Sequence, residues 1–166
     1  TTGNGGAILT NSKSIAEKVR YLSTQAKNDP VRYVHDEVGY NYRMSNVNAA
    51  IGKAQLENVE SFIEAKQRLY EFYFNCCQEI EGLDLAPKPD YARNNNWLIV
   101  LRVNPDLYGE SREELMLRLQ DEGIQTRPIW TPAHKQLPYK NCGKMPIKKT
   151  LSVVENSLCI PSSSFL

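Results

Sequence analysis

The chain has 166 residues, 41% of them hydrophobic, with 20 Lys and Arg against 19 Asp and Glu for a formal net charge of +1. That is enough chain for one ordinary core, and a near-neutral balance without a basic block excludes the footprint of a nucleic-acid binder. No apolar run approaches the roughly 18 residues that cross a bilayer and no charged-then-apolar leader is seen, so the expected setting is the cytoplasm, with neither nucleic acid nor membrane as partner.

The chain opens on Thr1-Thr2-Gly3-Asn4-Gly5-Gly6 without an initiating Met. Glycines that dense belong inside a fold, so a segment of a longer protein is expected. Gly6 to Thr10 reads as a short buried strand. Asn11 and Ser12 offer capping oxygens, and Ile15, Val19 and Leu22 follow at helical spacing, predicting a helix over 14–23. From Thr24 to Tyr42, through Asn28-Asp29-Pro30, periodicity disappears. The stretch is dense in aromatic and hydrogen-bonding side chains, which favours a functional loop.

Ser45 caps the next predicted helix, whose apolar stripe is Val47, Ala50, Ile51 and Ala54. A second stripe runs through Val59, Phe62, Ile63, Leu69, Tyr70, Tyr73, Cys76, Cys77 and Ile80. The whole stretch 45–81 is too long for one average helix, which predicts two helices or a bend near Asn58. Gly82 ends it. Pro87, Pro89 and Asn94-Asn95-Asn96 then read as a connector, and Trp97 to Val103 as a strand. Ser111 and Glu114 form a capping box for a helix carrying Leu115, Leu117 and Leu119, closed by Gly123. Ile124 to Trp130 reads as a strand, followed by a loop with His134, Pro138 and Tyr139, a short helix over 151–158 and a last strand from Leu158 to Pro161. Alternating helices and strands argue α/β or α+β layering.

The cysteines are Cys76, Cys77, Cys142 and Cys159. None forms a C-x-x-C pair, so reduced, mostly buried thiols are expected rather than zinc or redox chemistry.

Three places carry candidate chemistry. Gly3-x-Gly5-Gly6 can cradle a phosphate or simply turn the chain; it lacks the features of the standard phosphate loops. Gly39-Tyr40-Asn41-Tyr42-Arg43-Met44 precedes a helix start. There Asn41 supplies an amide donor and Arg43 a planar cation suited to phosphate oxygens. An asparagine turn with an arginine salt bridge fits the same residues. His134, Lys135 and Tyr139 share a loop that suits an anionic or sugar ligand, although a loop histidine is often only solvated. His35 sits beside Asp36 and Glu37, but metal binding needs a third ligand that the sequence does not supply. No Gly-x-Ser-x-Gly elbow suggests a hydrolase triad.

Thr1-Thr2-Gly3-Asn4-Gly5-Gly6-Ala7, then Gly39 to Ser45, then Ala49-Ala50-Ile51-Gly52 with Ala54-Gln55-Leu56 resemble the DegT/DnrJ/EryC1/StrS family of pyridoxal-phosphate sugar aminotransferases. Arg127-Pro128-Ile129-Trp130, His134 to Tyr139 and Leu158 to Ser162 are similar to its later motifs. The His35-Asp36-Glu37-Val38 lead-in looks most like LegC-like members that aminate 4-keto-6-deoxy nucleotide sugars.

The resemblance implies an α/β fold: the C-terminal part of a fold-type I, aspartate aminotransferase-like enzyme. Residues 1–81 would end the large cofactor-binding domain and 82–166 would form a small, truncated α/β domain. It implies pyridoxal 5′-phosphate as cofactor, with the Schiff-base lysine just upstream of Thr1 and no catalytic residue within the segment. Asn41 would reach the cofactor phosphate of a neighbouring subunit in a homodimer with shared sites. Arg43, His134, Tyr139, Tyr33 and His35 would line the substrate side, and no metal is expected. The implied reaction moves an amino group, usually from glutamate, to a keto sugar of a nucleotide sugar, in polysaccharide biosynthesis. Two alternatives stand beside it: a dehydratase of the same family, with histidine in place of the lysine, and a non-catalytic interaction module built on the helices from Ser45 to Glu81.

Overall fold

The computed structural model describes residues 1–29 and 31–166. The chain divides into two compact units, Thr1–Val59 and Glu60–Leu166.

In the first unit, α1 spans Lys13–Ser23 and α2 spans Asn46–Glu57, capped by Ser12 and Ser45. The strand expected at Gly6 to Thr10 does not form: no segment pairs with it, and Ile8 and Leu9 are exposed. The aperiodic stretch between the helices is an ordered excursion. Short antiparallel strands β1 (Lys27–Asp29) and β2 (Val34–His35) pair within it, and a Thr24–Asn41 bridge closes its base. Of the Asn28-Asp29-Pro30 run within that aperiodic stretch, Pro30 lies outside the described residues.

Ala26 is fully buried at φ 51, beside Gln25 at φ 69. A Cβ at Gly39 would collide with this backbone, so only glycine lets the two arms close. Ala26 is also the unit's only buried hydrophobic residue among those described. The small residues of α2 leave no side chain of that helix buried.

Helix α3 spans Val59–Gln78. The expected break falls at Asn58, whose side-chain amide donates to the Ala54 carbonyl at 2.9 Å. In the second unit α3 covers a four-stranded sheet of order β3-β4-β6-β5, with β3 Leu83–Leu85, β4 Ile99–Val103, β5 Arg127–Pro128 and β6 Ser157–Ile160. Every ladder is antiparallel. Along β4, Ile99, Leu101 and Val103 are buried while Val100 and Arg102 are half-buried, the period-two signature of a sheet with one covered face. Leu69, Tyr70, Tyr73 and Cys77 of α3 pack against that face with Leu85, Leu115, Leu158 and Ile160.

Three differences from the sequence expectation have local causes. Strand β3 lies between Gly82 and the Pro87 connector, where no element is expected, because three residues carry too little alternation to show. The strand expected over 124–130 contracts to two paired residues. Pro128 lacks an N–H, and only an edge tolerates it. Helix α4 (Pro105–Tyr108) is a single turn started by the Asn104 side chain. Helix α5 (Arg112–Asp121) begins at the expected capping box, in which Ser111 and Glu114 bond reciprocally. Helix α6 spans Lys148–Glu155. The four cysteines are free, with Cys77 and Cys159 buried. Among the described residues no helix is long and apolar enough to cross a membrane.

Candidate functional site

A groove of about 1030 Å³ opens in the first unit. Its lining comes from the glycine segment (Asn4 to Ile8), the end of α1 (Arg20, Ser23) and the run from Tyr40 to Ser45, with Asn48. The excursion's closing bonds set that run in place: the Tyr40 amide donates to the Leu22 carbonyl at 2.7 Å and the Tyr42 amide to the Ser23 carbonyl at 3.2 Å. Tyr40 and Tyr42 then stack, with centroids 5.0 Å apart.

No acidic residue lines the groove, whereas Arg20, Arg43, Asn4, Asn41 and Asn48 do. Asn48 is engaged with Ser45 and the Thr2 carbonyl. Among the described residues, the Asn41 carboxamide and the Arg20 and Arg43 guanidinium groups have no intramolecular partner. Such donors keep their full capacity for a ligand. Gly5 has φ 113, and a Cβ there would meet the Met44 side chain, so the glycine keeps this wall open. Helix α2 starts at Ser45 and adds its N-terminal dipole. Cations, amide donors and a helix start without an acid are chemistry suited to an anionic ligand.

Asn41 and Arg43 thus come together. Arg20 belongs with them and was not singled out from sequence, because one arginine in the last turn of a helix reads as an ordinary dipole partner. Tyr33 and His35 lie on the excursion and do not line the groove. Tyr33 is exposed at φ 55, with the Lys27 ammonium 4.7 Å from its ring centroid. The His35 Nδ1 lies 2.7 Å from the Gln25 carbonyl oxygen. A carbonyl only accepts, so Nδ1 is the donor in this bond.

In the second unit, His134 and Tyr139 sit on consecutive 3-10 turns, Ala133–Lys135 and Leu137–Tyr139. The Tyr139 amide donates to the Gln136 carbonyl at 3.0 Å, and Lys135 pairs with Glu155 at 3.7 Å. A further cavity of about 570 Å³ lies between Ile63–Arg68 of α3 and the 88–94 connector. Its lining mixes Arg68, Lys88 and Arg93 with Glu64 and Asp90, so it has no single charge preference.

The first unit thus carries a groove lined by cations and amides without an acid, and it is joined in sequence to a small antiparallel sheet unit. The DegT/DnrJ/EryC1/StrS aminotransferase family model matches residues 1–166, and the chain belongs to that family. It is 33% identical over 168 residues to the Bacillus subtilis (strain 168) protein named "Putative pyridoxal phosphate-dependent aminotransferase EpsN", covering 99% of this chain and 42% of that one. It is 34% identical over 152 residues to the GDP-perosamine synthase of Escherichia coli O157:H7, covering 91% of this chain and 40% of the relative. The crystal structure of the aminotransferase TlmJ from Streptoalloteichus hindustanus superimposes with a TM-score of 0.86 at 22% identity, over 99% of this chain and 44% of that one. The chain therefore spans less than half the length of these relatives, and its fold is that of part of a fold-type I sugar aminotransferase.

Proposed function

We propose that the chain is the C-terminal portion of a pyridoxal-phosphate-dependent aminotransferase acting on a keto sugar carried by a nucleotide, working as a cytoplasmic homodimer with shared sites. The observation that carries this reading is the acid-free groove with unpartnered Asn41 and Arg43, in a chain whose whole length matches the family. The relatives' names supply the cofactor and the nucleotide sugar.

The groove fits a phosphate. The Asn41 amide offers a neutral donor, Arg43 and Arg20 offer charge, and the open wall at Gly5 and Gly6 leaves room for the anion. Pyridoxal phosphate, when bound, supplies the electron sink for transamination. This chain's part is to hold and orient: Asn41 grips the cofactor phosphate of the neighbouring subunit, and Arg43 borders the same anion. In this reading Tyr33 and His35 of the first unit, which stay outside the groove, and His134 and Tyr139 of the second take the substrate-side roles that the family resemblance implies. Residues 1–81 complete the cofactor domain and 82–166 form the small domain. The amino donor in this reading is glutamate.

The test is cofactor retention. Asn41→Ala in the intact enzyme is expected to raise the dissociation constant for pyridoxal phosphate about tenfold, the scale of one hydrogen bond to a charged group, with the fold unchanged by circular dichroism. Unchanged retention in both Asn41→Ala and Arg43→Gln removes the groove from the cofactor site.

A further inference from the structure

Both tryptophans of the chain stand together on the surface of the second unit. The Trp97 and Trp130 rings lie 6.2 Å apart at 33° and are 67% and 63% exposed. Two indoles left in water forgo a large hydrophobic gain. Yet the backbone beneath Trp97 is fixed on both sides. Its amide donates to Asn95 Oδ1 at 3.1 Å, and its carbonyl accepts from Ser162 Oγ at 3.0 Å and Lys66 Nζ at 3.3 Å. The preceding Asn96 is 2% exposed, held at φ 48, and donates to Gln67 Oε1 at 3.2 Å. An exposed ring is thus carried on an immobilised backbone, beside an asparagine in the left-handed region that asparagine adopts more readily than most residues. A ring held this way loses little freedom when something stacks on it.

The charge that follows in sequence is one-sided. From Gly123 to Leu166 the chain holds Arg127, Lys135, Lys140, Lys144, Lys148 and Lys149 against one acid, Glu155. Among the described residues only Lys135 of these six has an acidic partner. Lys148 and Lys149 occupy the first turn of α6, where a helix favours acids.

We propose that Trp97 and Trp130 form a stacking platform for the base of a nucleoside diphosphate, with the lysines of 135–149 drawing in its diphosphate. The proposal rests on the nucleotide-sugar reading and names the part of that substrate the second unit recognises. A planar base covers an indole face, and a dianion matches a stretch rich in cations. An apolar protein partner would match the rings but not the lysine excess.

The intact enzyme is titrated with GDP, UDP, dTDP and inorganic diphosphate, following heat and tryptophan fluorescence. Trp97→Ala and Trp130→Ala are each expected to weaken the preferred nucleoside diphosphate about 5- to 100-fold, while Trp97→Phe keeps most of the affinity. Inorganic diphosphate should bind all three equally. Lys144→Gln with Lys148→Gln and Lys149→Gln should weaken both ligand types and flatten their salt dependence. Equal nucleoside diphosphate affinity in wild type and both alanine variants overturns the platform and leaves the nucleotide-sugar reading standing. Failure of wild type to bind any nucleoside diphosphate or nucleotide sugar, with pyridoxal phosphate retained, overturns both.

Discussion

Asp84 and Arg102 stand directly opposite one another in the β3–β4 ladder, and their side chains pair across it. Both are about half exposed, so water competes for each charge. Arg102→Ala is expected to cost no more than about 1 kcal/mol in urea unfolding. Leu101, the next residue, faces the covered side at 6% exposure. Leu101→Ala should cost about 2–5 kcal/mol, because a core cavity opens. A larger effect for Arg102 than for Leu101 would mean that the ladder, not the core, holds the sheet.

Among the described residues, Lys66 donates to the carbonyls of Asn96, Trp97 and Ser162 and pairs with no carboxylate. Burial lowers its ammonium below the ordinary lysine value. Lys66→Met keeps an unbranched stem out to Cε and removes the donating ammonium. The loss should be about 1–3 kcal/mol, the cost of unsatisfied acceptors, with a shift in the tryptophan emission spectrum. A stability equal to wild type would show that water replaces the ammonium freely.

Gly39→Ala forces a methyl group against the Ala26 backbone. The excursion from Thr24 to Asn41 should open, freeing the backbone at Lys27 and Arg32 to enter a protease. Limited trypsin digestion should then cut at those two positions faster than in wild type, with other sites unaffected. An unchanged digestion pattern would show that the arms can separate without losing their pairing.

Burial raises the thiol pKa of Cys77 and Cys159, and the neighbouring Cys76 adds to the effect at Cys77. The unfolded chain releases such protons near pH 8.5, while the folded state still holds them. The stabilisation is therefore complete below that pH and is lost as pH rises through the folded values. Thermal unfolding should move to lower temperature between about pH 8 and 10, and the double variant Cys77→Ala, Cys159→Ala should show a shallower slope. In the native protein a thiol reagent should label the exposed Cys76 and Cys142 first.

The residues that were legible in the sequence are those whose signal is local. Ser111 and Glu114 announce α5 by reciprocal capping, and the spacing of Leu69, Tyr73 and Cys77 announces the face of α3 that packs on the sheet. Asn41 and Arg43 were legible because amide and guanidinium donors precede a helix start. What escaped depends on partners distant in sequence. Leu83–Leu85 is a strand only because Val103 to Leu101 lie alongside it. Gly6 to Thr10 looks like a strand and finds no ladder. Arg20 joins the groove only through the closure of the excursion, and Trp97 reads as the start of a strand, whereas the strand begins at Ile99 and the Trp97 ring stands in water.

The sheet order has a consequence for synthesis. β6 is the last of these four strands to be made, yet it lies between β4 and β5, pairing Val100 with Cys159 and Pro128 with Leu158. On a ribosome, β4 and β5 emerge with no bond between them and wait for residues 157–160 to clear the exit tunnel. Until then Ile99 and Leu101 are open to other nascent chains. A stalled chain released before Ser157 should therefore recruit chaperones, whereas one extended past Ile160 should close its sheet in a single step.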